Sequence, residues 1–129
     1  MEASARASRR RPVATEGVVA TKALMRAASR LGISNKVLGR IVGLSEASVS
    51  RMGAGAFTLS AGDKSFELAL LFIRLFRALD AVTGGDDAVA SAWVRNDNLA
   101  LGAAPLTLVQ SVSGLTHVLG YVDSRRALA

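Results

Sequence analysis

Apolar residues recur at helical spacing along most of the chain. After Pro12, the residues Leu24, Ala28 and Leu31 lie four and three positions apart, which places them on one face of a helix. Glycine commonly ends helices, so this spacing predicts a first helix that stops at Gly32. No convincing pair of strands and no internal repeat is found. The pattern therefore predicts an all-α protein.

Two short helices with serine caps are expected next. Ser34 stands where an N-cap belongs, Gly43 ends the helix that it begins, and Ser45 is placed to cap the following helix. The inward positions are Leu38, Ile41 and Val42 in the first of these helices, and Val49 and Met52 in the second. Only residues 43–45 separate the two helices, so the turn between them is tight.

A long apolar helix is expected from residue 65 to about residue 82. Its polar residues Glu67, Arg74 and Arg77 cluster on a narrow strip, and nearly every other position is apolar. A helix of this composition must be covered on most of its sides. The two arginines also interrupt its apolar run well short of the ~20 residues that a membrane-spanning helix needs.

The remainder of the chain predicts a small helical unit. The Gly84-Gly85 pair breaks the long helix, and a new helix, a turn, a helix near residues 106–111 and a short helix over 114–119 follow before a charged tail. Three parts are expected. They are a basic flexible arm at residues 1–16, a helical domain with the long helix at 17–83, and a C-terminal domain at 84–129.

The net charge of +6 is divided unevenly along the chain. Residues 1–60 carry ten Lys or Arg and three Glu, a net charge of +7, whereas residues 61–129 carry six basic and seven acidic residues, a net charge of −1. This division favours nucleic acid as a partner of the N-terminal half, with a solvated basic surface as the alternative. The Arg- and Ser-rich start resembles transit peptides in composition, but it lacks apolar periodicity and predicts an arm.

The composition argues against several kinds of site. The chain has no cysteine and a single histidine, His117, and its carboxylates are not grouped. We therefore expect no metal site, no cofactor and no catalytic residue. The lack of cysteine fits a reducing compartment, and together with the lack of a membrane span it predicts a cytoplasmic protein.

Glycines are crowded between residues 38 and 55, which leaves two interpretations. Gly53 and Gly55 begin like a dinucleotide-binding fingerprint, but no strand precedes them, the third glycine is missing, and no acidic partner is in place. The alternative is a helix-turn-helix, in which glycine lets two helices cross closely. The sequence favours this second interpretation.

The spacing of three residues supports the helix-turn-helix. Counting residue 35 as the first position, Gly39 is fifth, Gly43 is ninth and the β-branched Val49 is fifteenth. Gly39 provides the small residue at the helix crossing, and Gly43 accepts the left-handed conformation of the turn. The second helix of the pair is then a recognition helix for the major groove of DNA.

The outward face of this recognition helix carries the candidate DNA-reading groups. Ala47, Ser50 and Arg51 share that face at i, i+3 and i+4 spacing, with Ser48 beside them. An arginine pairs bidentately with a guanine edge, and serines reach bases or phosphates. Lys36 and Arg40 lie on the outer side of the preceding helix and are placed for phosphate contacts. The candidate DNA-binding residues are Lys36, Arg40, Ala47, Ser48, Ser50 and Arg51.

We also expect a homodimer. Operators read by helix-turn-helix proteins usually carry two half-sites, and the long helix is too apolar for an exposed element. The candidate interface residues are Phe66, Leu70, Phe72, Ile73 and Phe76. The same pattern also suits a central core helix, which is the alternative.

The C-terminal half carries a string of residues that resembles a known family. In order, the string is Trp93-Val94, Asn98, Leu101-Gly102, Pro105-Leu106, Gly114 and Val118-Leu119. It is similar to the toxin-binding domain of the Xre/MbcA/ParS antitoxins, and the resemblance covers about residues 20–122. The chain departs from the family at Asp97, where proline is usual, and at Ala103, where a second glycine is frequent.

The resemblance implies an Xre-like helix-turn-helix joined to a small helical toxin-binding domain. It also implies a cognate RES-domain toxin, which consumes NAD or transfers its ADP-ribose, as partner. The antitoxin would cover the NAD site of that toxin, repress its own operon within a larger complex, and have no enzymatic activity. The candidate toxin-binding residues are Trp93, Asn98, Leu101, Pro105, Tyr121, Asp123, Arg125 and Arg126. The alternative is a phage-type repressor whose C-terminal half only dimerises.

Overall fold

The computed structural model describes the backbone of residues 2–128 and the side chains of residues 16–128. Over this part of the chain the protein is all-α, as predicted, and one isolated bridge between Asn98 and Ala103 is its only β-type pairing. The helices are α1 (Glu2–Leu31), α2 (Asn35–Val42), α3 (Glu46–Gly53), α4 (Lys64–Val82), α5 (Asp87–Arg95), α6 (Pro105–Leu108) and α7 (Val112–Leu128).

The helix-turn-helix forms where the sequence predicts it, and its caps are the predicted serines. The hydroxyl oxygens of Ser34 and Ser45 accept the backbone N–H groups of Val37 at 3.2 Å and Ser48 at 3.1 Å. Gly43 ends α2 in the left-handed conformation, with φ of +74°. Each of the two serine caps satisfies a backbone donor that the first turn of a helix leaves free.

Gly39 allows the close crossing of α2 and α3. It is buried, and a Cβ atom at this position would lie 2.5 Å from the carbonyl oxygen of Leu44 in the turn. Backbone that approaches this closely has no room for a side chain. The predicted role of Gly39 as the small residue of the crossing is therefore confirmed.

The long helix α4 is the central element of the core. It packs against α1, α2 and α7, and its buried residues surround most of its circumference. They are Phe66, Leu68, Ala69, Phe72, Ile73, Leu75, Phe76, Ala78 and Leu79. The apolar character of α4 is thus largely accounted for by packing within one chain.

The C-terminal helices differ from the sequence prediction. The helix expected near residues 106–111 is shorter and earlier, and the short helix expected over 114–119 continues to Leu128 as α7. The expected end at residue 119 is wrong because the inward stripe continues beyond it to Val122, which is 1% exposed. Gly120 is exposed and is tolerated inside the helix.

The expected arm at residues 1–16 lies almost entirely outside the residues whose side chains are described. The backbone of α1 is helical from Glu2, and the side-chain description begins at Glu16.

Two arginines join the N-terminal helices to the C-terminal unit. Arg30 of α1 lies 2.7 Å from Asp80 of α4 and 2.8 Å from Asp87 of α5, and its guanidinium stacks 4.8 Å above the Phe76 ring. The hydrogen bond to Asp87 is the main cause that raises the pKa of Arg30. Desolvation opposes this rise, and the hydrogen bond to Asp80 adds to it. Arg95 donates hydrogen bonds to the backbone at the end of α1. The first helix and the C-terminal unit are therefore directly linked.

Candidate nucleic-acid and toxin interfaces

The six predicted DNA-binding residues lie on the surface of α2 and α3. Ser48 is half-buried, and the side chains of the other five are exposed. The buried residues of α3 are Val49 and Met52, so the opposite side of this helix faces outward, as expected from the sequence. This arrangement leaves the outward face of α3, the predicted recognition helix, exposed to solvent.

A chain of hydrogen bonds runs along the outward face of α3. The Ser45 hydroxyl donates to Ser48 Oγ at 3.0 Å, and Arg51 Nη2 donates to the same oxygen at 3.0 Å. A serine hydroxyl has two acceptor sites and one proton. Two neighbouring side chains therefore share the Ser48 hydroxyl. The same bonds hold the Arg51 side chain along the helix.

An aromatic cleft opens between the end of α4, α5 and α7. Trp93 and Tyr121 stack with ring centroids 6.4 Å apart and an interplanar angle of 14°. Both rings are half-buried, and together with Arg125 they line a cleft of about 360 Å³. Three of the predicted toxin-binding residues therefore share one concave surface.

Sequence reasoning missed the apolar lip of this cleft. Val82 at the end of α4 is 39% exposed and Val89 on α5 is 51% exposed, and both line the cleft. No local pattern marks them, because their proximity to Tyr121 arises from the packing of three helices. The cleft thus combines apolar walls with a cationic group, as ligand and interface sites often do.

The remaining predicted toxin-binding residues lie elsewhere. Pro105 is fully buried and Leu101 is 8% exposed, so in this structure these two residues shape the unit from within and do not contribute to its surface. Asn98 closes the loop between α5 and α6. Asp123 is half-buried and lies 3.9 Å from Arg74, and Arg126 is exposed in the last turn of α7.

The five predicted interface residues of α4 differ in their burial. Phe66, Phe72, Ile73 and Phe76 are buried in the core, and Leu70 alone among them is exposed, at 41%. Leu70 borders an apolar groove of about 450 Å³ between α1 and α4, which Val19, at 57% exposure, also lines. Val19 was not identified from the sequence.

The described residues contain no group of three or more His, Cys, Asp or Glu that is arranged to hold a metal ion. None of the described helices is both long enough and apolar enough to cross a membrane.

Fold and surface together define a helix-turn-helix protein with a C-terminal interaction unit. Comparison with family models gives two matches. Residues 11–74 match the antitoxin Xre-like helix-turn-helix domain, and residues 78–127 match the antitoxin Xre/MbcA/ParS C-terminal toxin-binding domain. The chain belongs to the Xre/MbcA/ParS family of antitoxins, so the resemblance noted in the sequence is confirmed. A comparison with curated proteins finds no match.

Proposed function

We propose that this antitoxin neutralises a RES-domain toxin by placing its aromatic cleft and the end of α7 over the NAD site of the toxin. The observation that carries the proposal is the stacked, half-exposed pair of Trp93 and Tyr121, with Arg125 beside it, inside the segment that matches a toxin-binding domain. Half-exposed aromatic residues and arginine are the side chains that most often dominate binding energy at interfaces.

Charged side chains of both signs are accessible near the end of α7. Arg125 and Arg126 are exposed and lie in the last turn of α7. Among the described residues, Asp123 forms an ion pair with Arg74, at 3.9 Å between partly exposed side chains, and such a pair contributes little. All three side chains are therefore available to pair with charged groups of the toxin.

We also propose that the antitoxin represses its own operon. The support is the exposed face of α3 together with the net charge of +7 over residues 1–60. Arg51 reads base edges in this proposal, and Lys36 and Arg40 contact phosphates. Neutralisation and repression use separate surfaces of one chain, since the aromatic cleft is built from α4, α5 and α7.

Co-expression with the product of the adjacent gene, which this proposal expects to be a RES-domain toxin, tests the proposed function. We expect the antitoxin to restore growth and cellular NAD, and to co-purify with the toxin. A chain that binds operator DNA but neither binds nor neutralises that toxin would instead be a repressor of the phage type.

The groove between α1 and α4 is the proposed homodimer interface. Glu16 lies at this groove with Arg74 and Arg77, so a symmetric pairing of two copies brings opposite charges together around Val19 and Leu70. Two linked recognition helices would then read the two half-sites of an operator.

Replacing Leu70 should therefore separate the subunits. Leu70→Asp places a carboxylate in the apolar groove. We therefore expect the dissociation constant of the dimer to rise about 100-fold. Sedimentation at micromolar concentration measures this change. Val82→Asp, at a similarly exposed position of α4 outside the groove, is the control and should remain dimeric. A wild-type chain that stays monomeric even with operator DNA present would refute the dimer.

A further inference from the structure

The loop between α5 and α6 presents a leucine entirely to solvent. Leu99 is 103% exposed, more than any other large apolar side chain among the described residues. The next is Leu128, at 84%, in the last turn of α7. A single exposed leucine is common on protein surfaces, so its meaning depends on how the loop that carries it is built.

This loop is fixed at its base by Asn98. The Asn98 side-chain oxygen accepts the N–H of Leu101 at 3.1 Å, and its backbone oxygen accepts the N–H of Gly102 at 2.8 Å. The Asn98 N–H donates to the carbonyl of Ala103 at 3.2 Å, which closes the loop. Leu101 is inserted into the core beneath it. A loop held in this way loses little conformational entropy when its tip is bound.

The surroundings of Leu99 allow a partner to approach closely. Ala100 and Gly102 are small and exposed. A Cβ atom at Gly102 would have no atom within 4 Å apart from those of its chain neighbours. On the other side, Asp97 is exposed and makes no ion pair with another described side chain. An apolar tip beside a carboxylate fits a pocket with apolar walls and a basic group at its rim.

The charges around the loop argue against DNA as the occupant. Arg95 is the nearest arginine along the chain, and its guanidinium is held by the carbonyl oxygens of Leu31 at 2.8 Å and Gly32 at 2.7 Å. The carboxylate of Asp97 would repel phosphates. The loop lies within residues 78–127, which match the toxin-binding domain, so a protein surface is the occupant that the chemistry favours.

We infer that Leu99 is an anchor of the toxin interface, which inserts into an apolar pocket on the toxin surface beside a basic residue that pairs with Asp97. This inference rests on the proposed function, because it takes the RES-domain toxin as the partner. It adds a second contact, formed by a preorganised loop, to the aromatic cleft.

Calorimetric titration with the toxin identified by the co-expression experiment above tests the anchor. Leu99→Ala should weaken the Kd by about 10- to 100-fold, whereas Leu99→Met, which keeps the apolar volume, should change it by less than about threefold. Val112→Ala, at an exposed apolar residue at the start of α7 and away from both the aromatic cleft and the end of α7, is the matched control and should bind as tightly as the wild type. The unfolding temperature of the free Leu99 variants should be unchanged, because the side chain contacts little in the chain.

The outcomes separate this inference from the proposed function. Wild-type binding together with an unchanged Kd for Leu99→Ala would overturn the anchor and leave the proposed function standing. A wild-type chain that does not bind the toxin would overturn both. If Leu99→Ala instead abolished self-association in sedimentation and left toxin affinity intact, the loop would belong to a homodimer interface and the inference would be wrong.

Discussion

An antitoxin carrying Val89→Arg should fail to protect cells from its toxin. Val89 is 51% exposed at the lip of the aromatic cleft, so the arginine can be accommodated without disturbing the core. It would, however, place a large charged group where the toxin is expected to pack against Trp93 and Tyr121. Because burying an unpaired charge at an interface is costly, we expect affinity for the toxin to fall by about 100-fold or more.

The neighbouring residue provides a matched control. Ala88 is also exposed on α5, but it does not line the cleft, so Ala88→Arg adds the same charge one position away. Growth after induction of both proteins, and the Kd of the purified pair, should separate the two variants. Unfolding temperatures near that of the wild type would exclude loss of the fold. Equal protection by both variants would show that the cleft is not the neutralising surface.

The structure also determines which deletion can test the role of the end of α7 in toxin binding. Deleting residues 120–129 removes Tyr121, which stacks on Trp93, and Val122, which is 1% exposed in the core. Such a deletion would damage the C-terminal unit as well as remove its end. Removing only residues 124–129 leaves both contacts in place and tests the end of α7, including Arg125 and Arg126.

The helix-turn-helix was predictable because its determinants are local. The caps at Ser34 and Ser45, the turn at Gly43 and the crossing at Gly39 lie within twelve residues of one another, and each has a steric or hydrogen-bonding reason that the sequence alone reveals. The C-terminal unit was predictable for a different reason, since its string of residues resembles that of a known family.

The interaction surfaces were only partly predictable, because they depend on packing between distant segments. The sequence selected Trp93, Tyr121 and Arg125 but gave no reason for Val82 or Val89 to join them. It selected Leu101 and Pro105 from the family string, and the structure buries both. In the same loop it passed over Leu99, because nothing in the spacing shows which of two leucines turns inward when Asn98 closes the loop.

Operator binding by Arg51→Ala should be weaker and less selective than that of the wild type. Arg51 lies exposed on α3, and its bond to Ser48 Oγ holds it along the surface that is proposed to face the groove. Loss of a bidentate contact to a base edge should cost about 1–3 kcal/mol at the cognate operator and blur base preference at one position.

Lys36→Ala distinguishes base reading from phosphate contact in the same assay. Lys36 is exposed on α2, where the proposed contact is a phosphate. Its loss should weaken binding to all DNA sequences alike and lower the slope of log affinity against log salt concentration by about one. Arg51→Ala should instead change the order of affinities among operator variants. Arg126→Ala, an exposed cation of the C-terminal unit, should change neither property. Gel shifts with several operator variants at several salt concentrations measure all three proteins. If Arg51→Ala bound every operator variant as the wild type does, α3 would not be the element that reads the bases.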